Sequence, residues 1–123
     1  MKEEERSRFG LVALGGYVYA VGGRNLFTHS TFHSVERYDP DTNSWQLMKS
    51  VDMPVPAFPC GISKVVALDG LIYAIGGQRG EVYTYNPQTY LWTEVAPLQH
   101  VCHAANFCTL KGKIYAIGII NHN

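Results

Sequence analysis

Apolar residues in this chain come in short runs, and each run stops at a turn-forming residue. Leu11–Leu14 meets Gly15-Gly16, Val18–Val21 meets Gly22-Gly23, Lys64–Leu68 meets Asp69-Gly70, and Leu71–Ile75 meets Gly76-Gly77. Short runs rich in β-branched and aromatic residues, punctuated in this way, predict β-strands. No window combines a sustained helical period with capping residues, so no helix is predicted. The runs just before the double glycines are almost continuously apolar rather than alternating, the pattern of strands covered on both faces.

Three of these runs are copies of one phrase: Val18-Tyr19-Ala20-Val21-Gly22-Gly23, Ile72-Tyr73-Ala74-Ile75-Gly76-Gly77 and Ile114-Tyr115-Ala116-Ile117-Gly118. Repetition at this scale decides architecture before any single residue is interpreted. Some intervals are constant: Gly16 to Tyr19, Gly70 to Tyr73 and Gly112 to Tyr115 are each 3 residues, and Tyr38 to Trp45 and Tyr85 to Trp92 are each 7. Others vary: Gly23 to Tyr38 is 15 residues against 8 from Gly77 to Tyr85, and Trp45 to Gly70 is 25 against 20 from Trp92 to Gly112. The second unit predicts four strands, at Lys64–Leu68, Leu71–Ile75, Glu81–Tyr85 (ended by Asn86-Pro87) and Leu91–Val95. Asp69-Gly70 is a two-residue hairpin signal, and Gly15-Gly16 and Lys111-Gly112 hold the same place in the other copies.

The double glycines Gly22-Gly23 and Gly76-Gly77, the Tyr-x-Pro phrases at Tyr38 and Tyr85, and the following Trp45 and Trp92 resemble the kelch repeat, one blade of a β-propeller. The resemblance covers nearly the whole chain, although the third copy carries Gly118-Ile119 in place of the double glycine. The expected fold is all-β, with four-stranded antiparallel blades amounting to about two and a half blades of an incomplete propeller. The expected organisation is a lead-in at 1–9, a blade at 10–49, an inter-blade loop at 50–60, a second blade at 61–96, and strands one and two of a third at 97–123. Each uncovered end face, if it exposes about 400 Å² of apolar surface, forgoes about 10 kcal/mol of burial. The expectation is therefore a truncated isoform or fragment of a larger propeller, either unstable alone or completed by pairing with other propeller blades.

Within an antiparallel blade, the 2–3 and 4–1 connections leave at one rim and the 1–2 and 3–4 turns at the other. Both variable intervals fall in 2–3 and 4–1 connections, and loops of variable length on a constant scaffold are where recognition concentrates. This rim is the predicted partner-binding surface. Its candidates are Arg24, Asn25, Phe27, His29, Phe32 and His33 in the long first loop, Phe58 in the 4–1 connection, and Gln78 and Arg79 in the second blade. Arginine offers a planar fork for carboxylates, and aromatic residues supply desolvated anchors. Arg24-Asn25, directly after the double glycine, resembles a position that contacts acidic peptides in some kelch receptors. Phe58, between Pro56 and Pro59, is open between anchor and packing residue. Gly22, Gly23, Tyr38, Trp45, Gly76, Gly77, Tyr85 and Trp92 recur at constant intervals and are assigned to the structure of the blade.

Composition and charge exclude several functions. With 10 basic and 10 acidic residues, the chain has no net charge for a nucleic-acid partner. No apolar run is long enough to span a membrane. Glycines interrupt Leu11–Val21, which argues against a signal peptide and for a cytoplasmic protein. The 3 cysteines are too few and too irregular for a disulfide framework. Cys60 and Cys102 are equivalent positions whose redox use would require a lowered thiol pKa. Cys108 aligns with Val12 and Val66 and is expected in the core. No nucleophile elbow, nucleotide-binding glycine pattern or metal-ligand spacing is present, so neither catalysis, a cofactor nor a metal is expected.

The function implied by the resemblance is protein–protein interaction: a piece of a substrate-recognition propeller, as in kelch-like adaptors that join a BTB domain to the propeller and serve cullin-RING ubiquitin ligases. Without a BTB domain no cullin contact is expected. The alternatives are a non-functional or structural propeller fragment, or a kelch scaffold or actin-binding protein.

Overall fold

A computed structural model of the chain describes residues 6–7, 9–25, 34–54, 62, 64–76, 80–97 and 106–117. The described residues form strands and no helix. In chain order the strands are β1 (Arg6–Ser7), β2 (Gly10–Leu14), β3 (Tyr17–Val21), β4 (Arg24–Asn25), β5 (Val35–Asp39) and β6 (Ser44–Met48). They continue with β7 (Val65–Leu68), β8 (Leu71–Ile75), β9 (Val82–Asn86), β10 (Leu91–Val95), β11 (Asn106–Leu110) and β12 (Lys113–Ile117). Two four-stranded antiparallel meanders result, β2-β3-β5-β6 and β7-β8-β9-β10, with a hairpin β11-β12 and a short ladder β1-β4.

The repeat in sequence is a repeat in register. Val18 faces Tyr38, which faces Trp45; Ile72 faces Tyr85, which faces Trp92. The Tyr-Trp rings lie 5.2 Å apart in the first sheet and 5.1 Å in the second, tilted by 48° and 46°. Each 1–2 turn has positive φ at both central residues, as at Asp69 (53°) and Gly70 (74°), which is the type I′ geometry that matches strand twist. In the 3–4 turns, the amide of Asp41 donates to Asp39 Oδ1 and that of Gln88 to Asn86 Oδ1, both at 2.9 Å. These side chains hold the first half of the turn, which is why Asp and Asn precede the prolines.

The second sheet is covered on both sides. Its Ile72, Ala74, Tyr85 and Trp92 pack with Tyr19, Val21, Val35 and Met48 of the first sheet, together with Ile62. Its Val66, Ile75 and Val82 form the opposite wall, against Phe107 and Ile114 of the hairpin. Successive residues of β8 thus enter two different cores, which is the physical origin of its continuous apolarity. Polar groups also join the sheets across the first wall. The Tyr85 hydroxyl donates to the Lys49 carbonyl at 2.6 Å. Val51 N–H donates to the Tyr90 carbonyl at 2.7 Å and the Val51 carbonyl accepts from Trp92 N–H at 2.9 Å, so the chain leaving β6 pairs with β10.

The outward faces differ. Leu11 and Leu47 on the far side of the first sheet are 58% and 52% exposed, and Leu110 and Tyr115 on the hairpin are 58% and 44% exposed. Tyr19, the counterpart of Tyr115, is 3% exposed because the second sheet lies on it. This corrects the placement of Cys108. It pairs with Tyr115 on the hairpin face turned away from the second sheet, and it is an exposed free thiol rather than a core residue. Val66, its equivalent, is buried because the hairpin covers it. Strand bounds shift by one residue at Val65 and Val82, where the ladder begins later than the apolar run suggests.

Tyr85 and Tyr38 occupy equivalent positions in unequal surroundings. Tyr85 is fully buried, whereas the half-buried Tyr38 donates to Asn43 Oδ1 in its own turn. Tyr85→Phe is expected to cost about 1–3 kcal/mol in urea unfolding, since it leaves the Lys49 carbonyl without its partner, and Tyr38→Phe less than about 1 kcal/mol. Burial also raises the Tyr85 phenol far above its ordinary 10.0. Its contribution to stability is therefore complete below about pH 10 and is lost as the pH rises further. The alkaline loss of stability is expected to be shallower in Tyr85→Phe; Tyr83, likewise raised mainly by burial, retains part of the slope.

Candidate interaction rim

The end of β3, the start of β5, the end of β6 and the start of β7 share one rim, where the sequence places its length variation. Two glycines organise it. Gly22 and Gly23 have φ of 72° and 93°, turning the chain out of the sheet. Gly22 N–H donates to the Ser34 carbonyl at 3.0 Å, closing the base of the 2–3 connection, and Gly23 N–H donates to the Ile62 carbonyl at 2.9 Å. Ile62 is fully buried in the 4–1 connection between the two sheets. The start of one sheet's 2–3 connection is thus fastened to the strand entry of the next. The second sheet repeats the base closure, with Gly76 N–H donating to the Glu81 carbonyl at 3.2 Å.

Beyond Gly23 the chain does not enter a loop at once. Arg24 and Asn25 form β4, which pairs antiparallel with β1 in the register Arg6↔Asn25 and Ser7↔Arg24. The expectation of a loop beginning at Arg24 is corrected here: backbone pairing with Arg6-Ser7 holds Arg24-Asn25 at the rim. Two polar dipeptides have no hydrophobic period, so no pattern in the sequence signals this ladder. Of the predicted contact residues, the structure places the backbones of Arg24 and Asn25 on this rim. Phe27, His29, Phe32, His33, Phe58, Gln78 and Arg79 lie outside the described residues, as do Gly77, Cys60 and Cys102.

Chemically, the described rim is a backbone scaffold. Among the described residues no group of three or more His, Cys, Asp or Glu is arranged to hold a metal ion. No helix among them is long and apolar enough to cross a membrane. The scaffold's weak point is Gly22, where an added Cβ would collide with the Ile62 carbonyl oxygen and lie 2.8 Å from its amide nitrogen. The obstacle is backbone, so it cannot rotate away. Gly22→Ala is expected to cost about 3 kcal/mol or more in chemical unfolding, through left-handed strain and this collision. Gly15→Asn, at φ 60° with open space around the glycine, is expected to cost less than about 1 kcal/mol.

A family model for the Kelch motif matches residues 5–51 and 63–99. Human Kelch-like protein 33 is 32% identical over 120 residues, covering 92% of this chain and 22% of its own length. Kelch-like ECH-associated protein 1A of Danio rerio is 36% identical over 110 residues, covering 82% of this chain and 17% of its own. Rat Kelch-like protein 36 is 31% identical over 121 residues, with 94% and 19% covered. The chain thus spans about a fifth of the length of these relatives. Among solved structures, one titled "Structure of YjhT" superposes with a TM-score of 0.71 over 91% of this chain and 44% of that one, at 17% identity, a likeness of fold alone. Blade register, double-glycine closure and both motif matches converge: the chain belongs to the kelch-repeat family and is similar to the kelch-like proteins.

Proposed function

We propose that this chain is a protein-recognition module whose partner is held on the rim formed by the 2–3 and 4–1 connections. The observation that carries this reading is the fastening of Gly23 to Ile62, with the β1–β4 ladder beside it. It gives variable segments a rigid base, so less ordering entropy is lost when a partner binds. Residues 10–49 and 61–96 act as blades in this proposal, and Arg24 and Asn25 lead the contact set. Phe27, His29, Phe32, His33, Gln78 and Arg79 supply further cationic, amide and aromatic groups, with Phe58 as an anchor from the 4–1 side. The similarity to kelch-like proteins extends the proposal to substrate recognition for a cullin-RING ubiquitin ligase, acting in the cytoplasm, with the cullin contact assigned to a BTB domain. Recognition, rather than catalysis or cofactor chemistry, is the role that these residue types suit.

A second reading has its own support. Leu11 and Leu47 on one outer face, and Leu110 and Tyr115 on the other, are large apolar side chains left exposed. These faces are proposed to pack against further propeller blades.

The two readings separate in a pull-down from cell extract followed by mass spectrometry. Arg24→Ala/Asn25→Ala is expected to lose rim partners by tenfold or more, as for hot-spot residues, while the melting temperature stays within a few degrees. Loss of the same partners on changing Leu11 or Leu110 to Asp, with Arg24→Ala/Asn25→Ala unaffected, would favour the outer faces and sink the rim assignment.

A further inference from the structure

The opposite rim carries a cleft that the recognition reading does not use. It lies between the two four-stranded sheets, beside the 1–2 turns of both and the 3–4 turn of the second, and encloses about 330 Å³. Its walls include Tyr17, Tyr19, Arg37, Gln88 and Tyr90. Arg37 sits opposite Tyr19 in the β3–β5 ladder, half-buried on the face that meets the second sheet. Its guanidinium carbon is held 4.2 Å from the centre of the Tyr17 ring, and one Nη2 hydrogen is donated to Gln46 Oε1 at 3.0 Å. Tyr17 in turn stands edge-on to Tyr19, with centroids 6.5 Å apart.

Two features point to a ligand. A guanidinium has five N–H donors, yet no carboxylate is among the residues lining this cleft. The positive charge is oriented by an aromatic face and an amide, and it is not neutralised there. On the far wall, Tyr90 has φ of 64°, a left-handed conformation that a bulky residue adopts only when its surroundings impose it. Its N–H donates to the Asn86 carbonyl at 2.7 Å and its carbonyl accepts from Val51, so both backbone groups are engaged and the direction in which the side chain leaves the backbone is set. The cleft therefore presents an oriented fork, an amide and tyrosine hydroxyls between flat apolar rings.

We propose that this cleft is a second binding site, which takes a single carboxylate against Arg37. A planar monoanion matches one fork; a phosphate dianion calls for more positive charge than one arginine supplies. The carboxylate belongs either to an acidic side chain of a protein or to a small free acid.

The test is ¹H–¹⁵N NMR titration of the full chain with glutarate, with a blocked peptide containing one glutamate, with the same peptide carrying glutamine, and with inorganic phosphate. Saturable shifts are expected at the amides of Gly15, Gly70 and Gln88, and not at Gly22 or Gly23. Tighter binding of the glutamate peptide assigns the site to protein partners, and tighter binding of glutarate assigns it to small acids. Arg37→Gln is expected to weaken binding about tenfold or more, and Arg37→Lys less. Gln88→Ala, in an exposed turn, weakens it about threefold and serves if Arg37→Gln does not fold. No saturable shift with either carboxylate, equal shifts with the glutamine peptide or phosphate, or titrations unchanged in the Arg37 and Gln88 variants would each overturn the proposal. Arg24→Ala/Asn25→Ala is expected to leave these titrations unaltered, so this site and the rim proposal stand or fall separately.

Discussion

The structure depends on one wall, where Tyr85 and Trp92 of the second sheet enter the face of the first. A propeller blade has no core of its own; its side chains are buried only when another blade lies against them. Tyr85 and Trp92 are 0% and 2% exposed in that wall, whereas the equivalent Tyr38 and Trp45 remain half-buried. The same residues in the same register thus differ in burial solely by what stands next to them. The Tyr85 hydroxyl adds direction to the apolar contact through its bond to the Lys49 carbonyl, alongside the backbone bonds of Val51 and Gly23 to the second sheet.

Both rims follow from the mutual position of the sheets. On one rim, the sheet spacing brings Gly23 within a hydrogen bond of Ile62, so the first sheet's 2–3 connection starts from a backbone anchored in the second sheet's entry. On the other, the same spacing leaves a cleft into which Arg37 projects over Tyr17. One rim combines a rigid base with segments of variable length, a combination suited to recognising diverse protein surfaces. The other combines short turns of invariant geometry with one oriented cation, which suits a small group of defined charge.

Much of this was legible in the chain. Asp69-Gly70 and its counterparts announced two-residue hairpins, and the interval from Tyr85 to Trp92 reported the β9–β10 register, because opposed residues flanking a short turn must keep a constant separation. Arg24-Asn25 was legible as belonging to the rim but not as a strand, since pairing with Arg6-Ser7 rests on backbone groups that leave no trace in side-chain pattern. Arg37 carried no such signal, because it follows Glu36 in a strand with three charged residues, where a charge ordinarily marks a solvated position. Only the neighbouring sheet converts that position into the wall of a cleft.

Cys108 gives the same lesson in reverse. Its alignment with Val12 and Val66 correctly identified its strand position, but burial at that position requires a further sheet, and the hairpin's outer face has none among the described residues. From the sequence alone came the blade, its strands, its turns, and the rim carrying its length variation, because these are set by local conformational preference and by the spacing of apolar residues along the backbone. The tertiary structure alone decided which equivalent tyrosine is buried, that Cys108 faces solvent, and where two polar dipeptides pair. The reason is physical: burial and desolvation are properties of contacts between repeats, and identical repeats acquire different energies from different neighbours.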